Sequence, residues 1–491
     1  MIAFGFNNTY TRLPDRFYAR LAPTPVAKPG LVRINEAVAR ELGLDPDALA
    51  SPEGIAVLAG NAVPADADPI ALAYAGHQFG YFSPQLGDGR ALLLGEVVGR
   101  DGARRDIQLK GSGPTPFSRN GDGRAALGPV LREYLISEAM AGFGIPTTRA
   151  LAAVTTGQPV YRETALPGAV LTRVAASHIR VGTFQYFASQ QDEEAVRLLA
   201  DYTIDRHDPA ARQAASPYRA LLEGVIARQA TLVAQWLLVG FIHGVMNTDN
   251  AAVSGETIDY GPCAFMDAYD PRTVFSSIDE LGRYAYANQP GIAHWNVTRL
   301  AEAMLPLLAP ETDAAVEIAK ECLAGFGPRF EAAYLGGLRR KIGLQSAEDE
   351  DRALIQDLLS RMKDNAADFT LTFRKLAAAA ADPATDSGVR AEFTDPSAYD
   401  GWATAWRTRL GRDAGTAEER RAAMEAVNPA YIPRNHLVEE ALEAAVSHQD
   451  YGPFEAMLAV VTRPFEERPG LERYAKPPLP DQRVLRTFCG T

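Results

Sequence analysis

Hydrophobic periodicity divides this chain in two, with short alternating or apolar runs before about residue 175 and long helical stretches after it. Ala91 to Val98 is a near-continuous apolar run that follows the glycine-rich turn Leu86-Gly87-Asp88-Gly89-Arg90, and it predicts a strand. Gly99-Arg100-Asp101-Gly102 returns the chain into a second strand, Arg105 to Lys110, making a β-hairpin. A loop rich in Gly, Pro and Ser, 111–123, leads to a helical pattern from Gly128 to Met140. Leu131, Leu135 and Ala139 share one face of that helix, Pro129 stands near its start, and Gly142 lies beyond its end. Three β-like runs follow, Arg149 to Thr155, Pro159 to Thr164 and Ala169 to Ala175. A shorter helical pattern, Asn35 to Leu44, precedes them all.

Ala- and Leu-rich helical stretches then take over, first Ser189 to Ile204 and Tyr218 to Phe241. The loop His243 to Asn250 breaks the pattern. Ala251-Ala252-Val253 reads as a short strand that Ser254-Gly255-Glu256 turns into Thr257 to Asp259. From Trp295 to Leu458 amphipathic helices resume, interrupted at 381–388. The expectation is an α+β protein of two lobes. Residues 1–175 form an N-terminal extension and a small α/β N-lobe, and 176–491 a larger, mostly helical C-lobe with a C-terminal helical extension and a Cys-containing tail.

With 491 residues, 47% of them hydrophobic, the chain can build two cores. Its net charge of −12 argues against a broad nucleic-acid or anionic-membrane surface, so any basic site must be local. No apolar run approaches the ~20 residues needed to span a bilayer, and the start lacks a signal-peptide pattern. Arg12, Arg16 and Arg20 would suit a transit peptide, but Pro14 and Asp15 interrupt its helix. A soluble, cytoplasmic protein is expected. Cys263, Cys322 and Cys489 are too few and too scattered for a disulfide framework or a Cys-based zinc site. Cys489, near the end of a tail, is either an exposed reactive thiol or an incidental residue.

His243-Gly244-Val245-Met246-Asn247-Thr248-Asp249-Asn250, followed by Asp259-Tyr260-Gly261, reads like the catalytic loop and metal-binding triplet of a protein kinase. The slot of the catalytic Asp, however, holds Val245, which cannot accept a proton. Asn250 and Asp259 are candidate ligands for a hard cation such as Mg²⁺. Asp249 is a candidate base, with a turn residue or a helper ligand as the alternative. His243 reads as a structural loop histidine. Lys110, at a strand end, has Glu133 on the following helix as its natural ion-pair partner, although either alone would pass for a surface residue. Gly87, Gly89 and Arg90 suit a phosphate site, and so do Asp122 and Gly123, but such segments are more commonly just turns. Arg173 and Arg180 flank the passage between lobes, where a triphosphate would need cations.

The stretches YAGHQFGYFSPQLGDGRALLLGEV, RRDIQLKGSGPTPFSRNGDGRAAL, SHIRVGTFQYFA and HGVMNTDNAAVSGETIDYGPCAFMDAYDP resemble the selenoprotein O (YdiU) family through nearly the whole chain. The resemblance implies a protein-kinase-like bilobal fold that binds ATP reversed, so that the α-phosphorus faces the acceptor. It implies a protein adenylyltransferase acting on Ser, Thr or Tyr hydroxyls of protein substrates, with UMP transfer from UTP as a second activity. By the same resemblance, Lys110, Arg90, Arg173 and Arg180 hold the phosphates with Gly87, Gly89, Asp122 and Gly123. Asn250 and Asp259 bind Mg²⁺ or Mn²⁺, and Asp249 is the base. Cys489 falls where family members carry a selenocysteine or cysteine, which implies a redox role, with Cys263 as one candidate partner and Cys322 no better supported. The competing reading is a catalytically inactive nucleotide-binding pseudokinase scaffold. The retained Asp249 disfavours it, and Val245 disfavours an orthodox kinase.

Overall fold

A computed structural model describes residues 3–488. Its strands are, in chain order, β1 (Tyr18–Arg20), β2 (Gly30–Ile34), β3 (Ile70–Leu72), β4 (Gly76–Gln78), β5 (Tyr81–Ser83), β6 (Ala91–Val98), β7 (Arg104–Lys110), β8 (Ala125–Ala126), β9 (Arg149–Tyr161) and β10 (Ala165–Ala175). A last pair, β11 (Phe241–Ile242) and β12 (Ala264–Phe265), belongs to the helical part. Eight of these form one antiparallel sheet in the order β1-β3-β6-β7-β10-β9-β2, with β8 pairing β10 off that path. β4 and β5 make a separate hairpin.

The central strands are apolar on both sides because both faces of the sheet are covered. Short helices α1 (Glu36–Glu41), α2 (Pro46–Ala50) and α3 (Pro52–Leu58) close one face with Leu94, Ile107, Leu151 and Val170. Helix α4 (Leu127–Gly142) lies on the other and buries Leu131, Leu135 and Ala139, as their spacing predicts. The main sheet ends at Ala175. Helices α5 (Val181–Ser189), α6 (Glu193–His207), α7 (Pro217–Leu238) and α8 (Gln289–Leu308) follow, and helices continue to Ala475.

Three local expectations are corrected. The first two of the three β-like runs are one long strand, β9, which pairs with β10 on both sides of an irregularity between Pro167 and Ala169. The helix expected from Ser189 to Ile204 is broken at Gln191, which has a left-handed φ of 58°, and restarts where the Asp192 side chain accepts a hydrogen bond from Ala195 N–H at 3.0 Å. The expected hairpin between Ala251–Val253 and Thr257–Asp259 does not form. Tertiary partners take its backbone groups instead: Val253 N–H donates to Ile179 O at 3.0 Å, and Thr257 N–H to Pro146 O at 2.9 Å. The 381–388 interruption is a 3₁₀ turn, Pro383–Thr385, and the start of a short helix, Asp386–Arg390.

Candidate active site

The sheet, the loop 117–124 and the loop after β11 line a cavity of about 690 Å³. Gly87, Gly89, Arg90, Lys110, Asp122, Gly123, Arg173, Arg180, Asp249, Asn250 and Asp259 all line it. Glu133 lies behind the wall, 3% exposed on α4, and Cys489 falls outside the described residues. Cys263 and Cys322 are buried.

Lys110 ends β7, so its side chain leaves the sheet at the cavity rim. Its Nζ donates to Glu133 Oε2 at 2.6 Å and to Asp259 Oδ1 at 2.9 Å. Arg173, on β10 beside β7, closes the same network: it pairs with Glu133, and its Nη2 reaches Asp259 Oδ1 at 2.8 Å. Two cations thus hold two carboxylates in a square that is buried at Glu133 and Arg173 and open to the cavity at Lys110 and Asp259. Burial alone would push both acids up, but Arg173 and Lys110 outweigh it, so Glu133 and Asp259 sit below their ordinary ranges. Asp259 also has a left-handed φ of 70°, a costly conformation for a non-glycine residue that the ion pairs hold in place.

Arg180 precedes α5. Its Nη1 donates to the Asp249 carbonyl at 2.5 Å, its guanidinium lies 4.6 Å from the Tyr74 ring centre, and Asp88 is 3.9 Å from its Nη2. Gly87 is required where it stands, since φ is 72° and a Cβ would meet the Phe117 ring at 2.3 Å. Gly123, with φ of 66°, would drive a Cβ to 2.1 Å from the Gly113 backbone. Asp122 pairs with Arg162 at 2.8 Å at the mouth.

His243 is spent on backbone: Nε2 donates to Ile258 O at 2.9 Å, and Nδ1 accepts from Val245 N–H at 3.4 Å. Asn250 Nδ2 donates to Val245 O at 3.1 Å, and its amide oxygen has no protein donor among the described residues. Both hydrogen bonds to the Asp259 carboxylate fall on Oδ1, and Oδ2 has no donor among the described residues. Two hard oxygens therefore suit a cation that takes its remaining ligands from phosphate and water. Among the described residues no cluster of three or more His, Cys, Asp or Glu forms a protein-only cage. Asp249, 7% exposed, accepts from Gln78 Nε2 at 3.3 Å, and its Oδ1 has no hydrogen-bond partner among the described residues. Burial raises its carboxyl to about 6.

Sequence reasoning passed over three residues here. Gln78 is the side-chain donor to Asp249, Asp88 accepts from Leu72 N–H and Gln108 Nε2, each at 3.1 Å, and Asn247 accepts from Tyr284 Oη at 2.6 Å. The only available signal was their place inside the long quoted motifs, since each partner is far away in sequence.

A strand lysine paired with a helix glutamate, above a loop that presents Asn250 and Asp259 to one cation-rich cavity, defines a protein-kinase-like fold. The chain belongs to the family described as protein adenylyltransferase SelO, which it matches over residues 1–462. It is 65% identical over 490 residues to the protein nucleotidyltransferase YdiU of Bradyrhizobium diazoefficiens, covering all of both chains. Identity to the protein of that name from Methylorubrum extorquens is 65% over 494 residues, with 99% of each chain covered. The Rhodopseudomonas palustris protein is 63% identical over 490 residues, again with full coverage.

Proposed function

We propose that the protein transfers AMP from ATP to Ser, Thr or Tyr hydroxyls of acceptor proteins, with UTP as a second donor that delivers UMP. Residues 1–175 and 176–491 act as the two lobes of the site. The observation that carries the reading is Asp249: a buried carboxylate with one oxygen unpartnered, next to Asn250, in a cavity where the usual base position is Val245. A nucleotide-binding scaffold has no use for such a costly group.

Arg90, Lys110 and Arg180 would hold the phosphates, with Arg173 adding its charge and the turns at Gly87, Gly89, Asp122 and Gly123 bringing backbone close. Asn250 and Asp259 would hold Mg²⁺ or Mn²⁺, which neutralises phosphate charge. Asp249 would take the proton of the acceptor hydroxyl. The acceptor oxygen then bonds to the α-phosphorus, the bond from that phosphorus to the β-phosphate bridging oxygen breaks, and pyrophosphate leaves with the electron pair. The Lys110–Glu133 pair would fix the lysine so that positioning and electrostatics do most of the work.

Intact mass spectrometry of the purified protein and of an added unstructured acceptor, after incubation with Mg²⁺ and ATP, tests this. An adduct of AMP mass that is absent in Asp259→Ala is expected. A phosphate adduct would restore the kinase reading, and ATP binding with no adduct would favour the scaffold.

A further inference from the structure

The β4–β5 hairpin stands beside Asp249 but contributes little to the core. Three contacts fasten it to the catalytic loop: His77 N–H donates to Thr248 Oγ1 at 2.7 Å, Phe79 N–H to Asn247 Oδ1 at 3.1 Å, and Gln78 Nε2 to Asp249 Oδ2 at 3.3 Å. Gly76 is needed for the fit, because a Cβ there would lie 2.3 Å from Asp249 Oδ1. At its tip, Phe79 has a left-handed φ of 51° and packs on Tyr284 at 5.1 Å, while the Arg283 guanidinium lies against Gly80. The hairpin and the loop 276–284 therefore form one continuous surface.

Large apolar side chains project from that surface into solvent. Tyr81 is 82% exposed, Phe82 40%, Ile278 57% and Leu281 95%. Among the described residues β5 pairs only with β4, so its alternate backbone groups face outward as an unpaired edge. Such an edge with exposed apolar residues is a liability unless something binds it. The Arg283 backbone N–H donates to Asp279 Oδ1 at 2.8 Å, but its guanidinium has no ion-pair partner among the described residues and stacks on Trp295 at 5.0 Å. In a chain of net charge −12 it is a local cation at an apolar patch. Phe79 and Ile278 also line the cavity, so the patch runs without a break into the candidate active site.

We infer that the hairpin Gly76–Ser83 and the loop 276–284 are the docking surface for the acceptor protein, taken as an extended segment that carries an apolar side chain and a carboxylate near its hydroxyl. The segment adds along β5, its apolar side chain seats among Tyr81, Phe82 and Leu281, its carboxylate meets Arg283, and its hydroxyl enters beside Asp249. This rests on the adenylyl-transfer reading.

The test is a library of short unstructured peptides, each with one central Ser, Thr or Tyr and randomised flanks, labelled from α-³²P ATP. Wild-type protein is expected to select apolar and acidic flanks. Tyr81→Ser and Leu281→Ser should each raise KM for the best peptide roughly tenfold with kcat and ATP binding unchanged, and Arg283→Met should erase the acidic preference alone. Both apolar positions are exposed, so folding is preserved, and melting temperature checks it. Unchanged selection in the variants, with transfer intact, overturns the docking surface only. No labelling of any peptide or protein overturns the transfer reading with it. A concentration-dependent dimer that Tyr81→Ser abolishes would assign the surface to a second copy of this chain and also overturn the inference.

Discussion

Two regions of this molecule bury arginine beside carboxylate, and they do so to different ends. In the helical region Arg434, 1% exposed, donates to Asp267 at 2.7 Å, to Asp368 at 2.7 and 3.1 Å, and to the Ala475 carbonyl at 2.9 Å. That cluster is closed at both terminal guanidinium nitrogens, whose acceptors the protein supplies, and only the buried Nε is left without one among the described residues. Around the cavity, seven cationic side chains face four carboxylates, and Arg90 and Arg119 have no ion-pair partner among the described residues. A closed cluster holds structure together, whereas an open one keeps cationic capacity for an anion that the protein does not supply.

The largest effect should come from the open cluster and leave stability alone. Asp249→Asn is expected to lower transfer by about 10²–10⁴-fold with ATP binding and melting temperature retained, as turnover, calorimetry and thermal unfolding would show. The closed cluster should behave the opposite way. Asp368→Ala leaves Arg434 short of its main partner and should cost roughly 3–5 kcal/mol of stability, with per-molecule ATP affinity unchanged in the folded fraction. Added pyrophosphate should stabilise the wild type by about 2.7 kcal/mol at a hundred times its Kd, and less in Arg90→Ala at the same concentration. If Arg90→Ala gains as much, the open cluster is not an anion site.

The smallest effect sharpens the contrast at Lys341, which is 2% exposed, has no ion pair among the described residues, and lies 4.4 Å from the Phe373 ring centre. Burial lowers its ammonium to about 7. Below that pH both folded and unfolded chains hold the proton and the cost of burying charge is complete. From about 7 toward the ordinary lysine range the unfolded chain binds more protons, so stability rises with pH. Lys341→Met should therefore gain about 2 kcal/mol at neutral pH and lose that slope, as denaturant titrations at several pH values would show.

Much of the fold was legible because its signals are local. β6 and α4 lie where the apolar runs and flanking glycines place them, and Lys110 and Glu133 could be paired from a strand end and the first turns of a helix. The stretch from Ala251 to Asp259 was misread because its backbone is stitched to Ile179 and Pro146, contacts that no local pattern carries. The same reason hid Gln78 and Asp88, which meet Asp249 and Arg180 only once the sheet packs on the helical part. Arg173 was picked as a cation for phosphate, but its guanidinium is already engaged with Glu133 and Asp259, a double role visible only in three dimensions.

The most direct test of the central claim follows the two ends of the triphosphate separately, by incubating the protein and an unstructured acceptor with ATP labelled at the α- or the γ-phosphate. The account predicts protein-bound label from α-³²P ATP, none from γ-³²P ATP, and loss of the α label in Asp249→Asn. Label retained from the γ position, or α label that persists in Asp249→Asn, would contradict it.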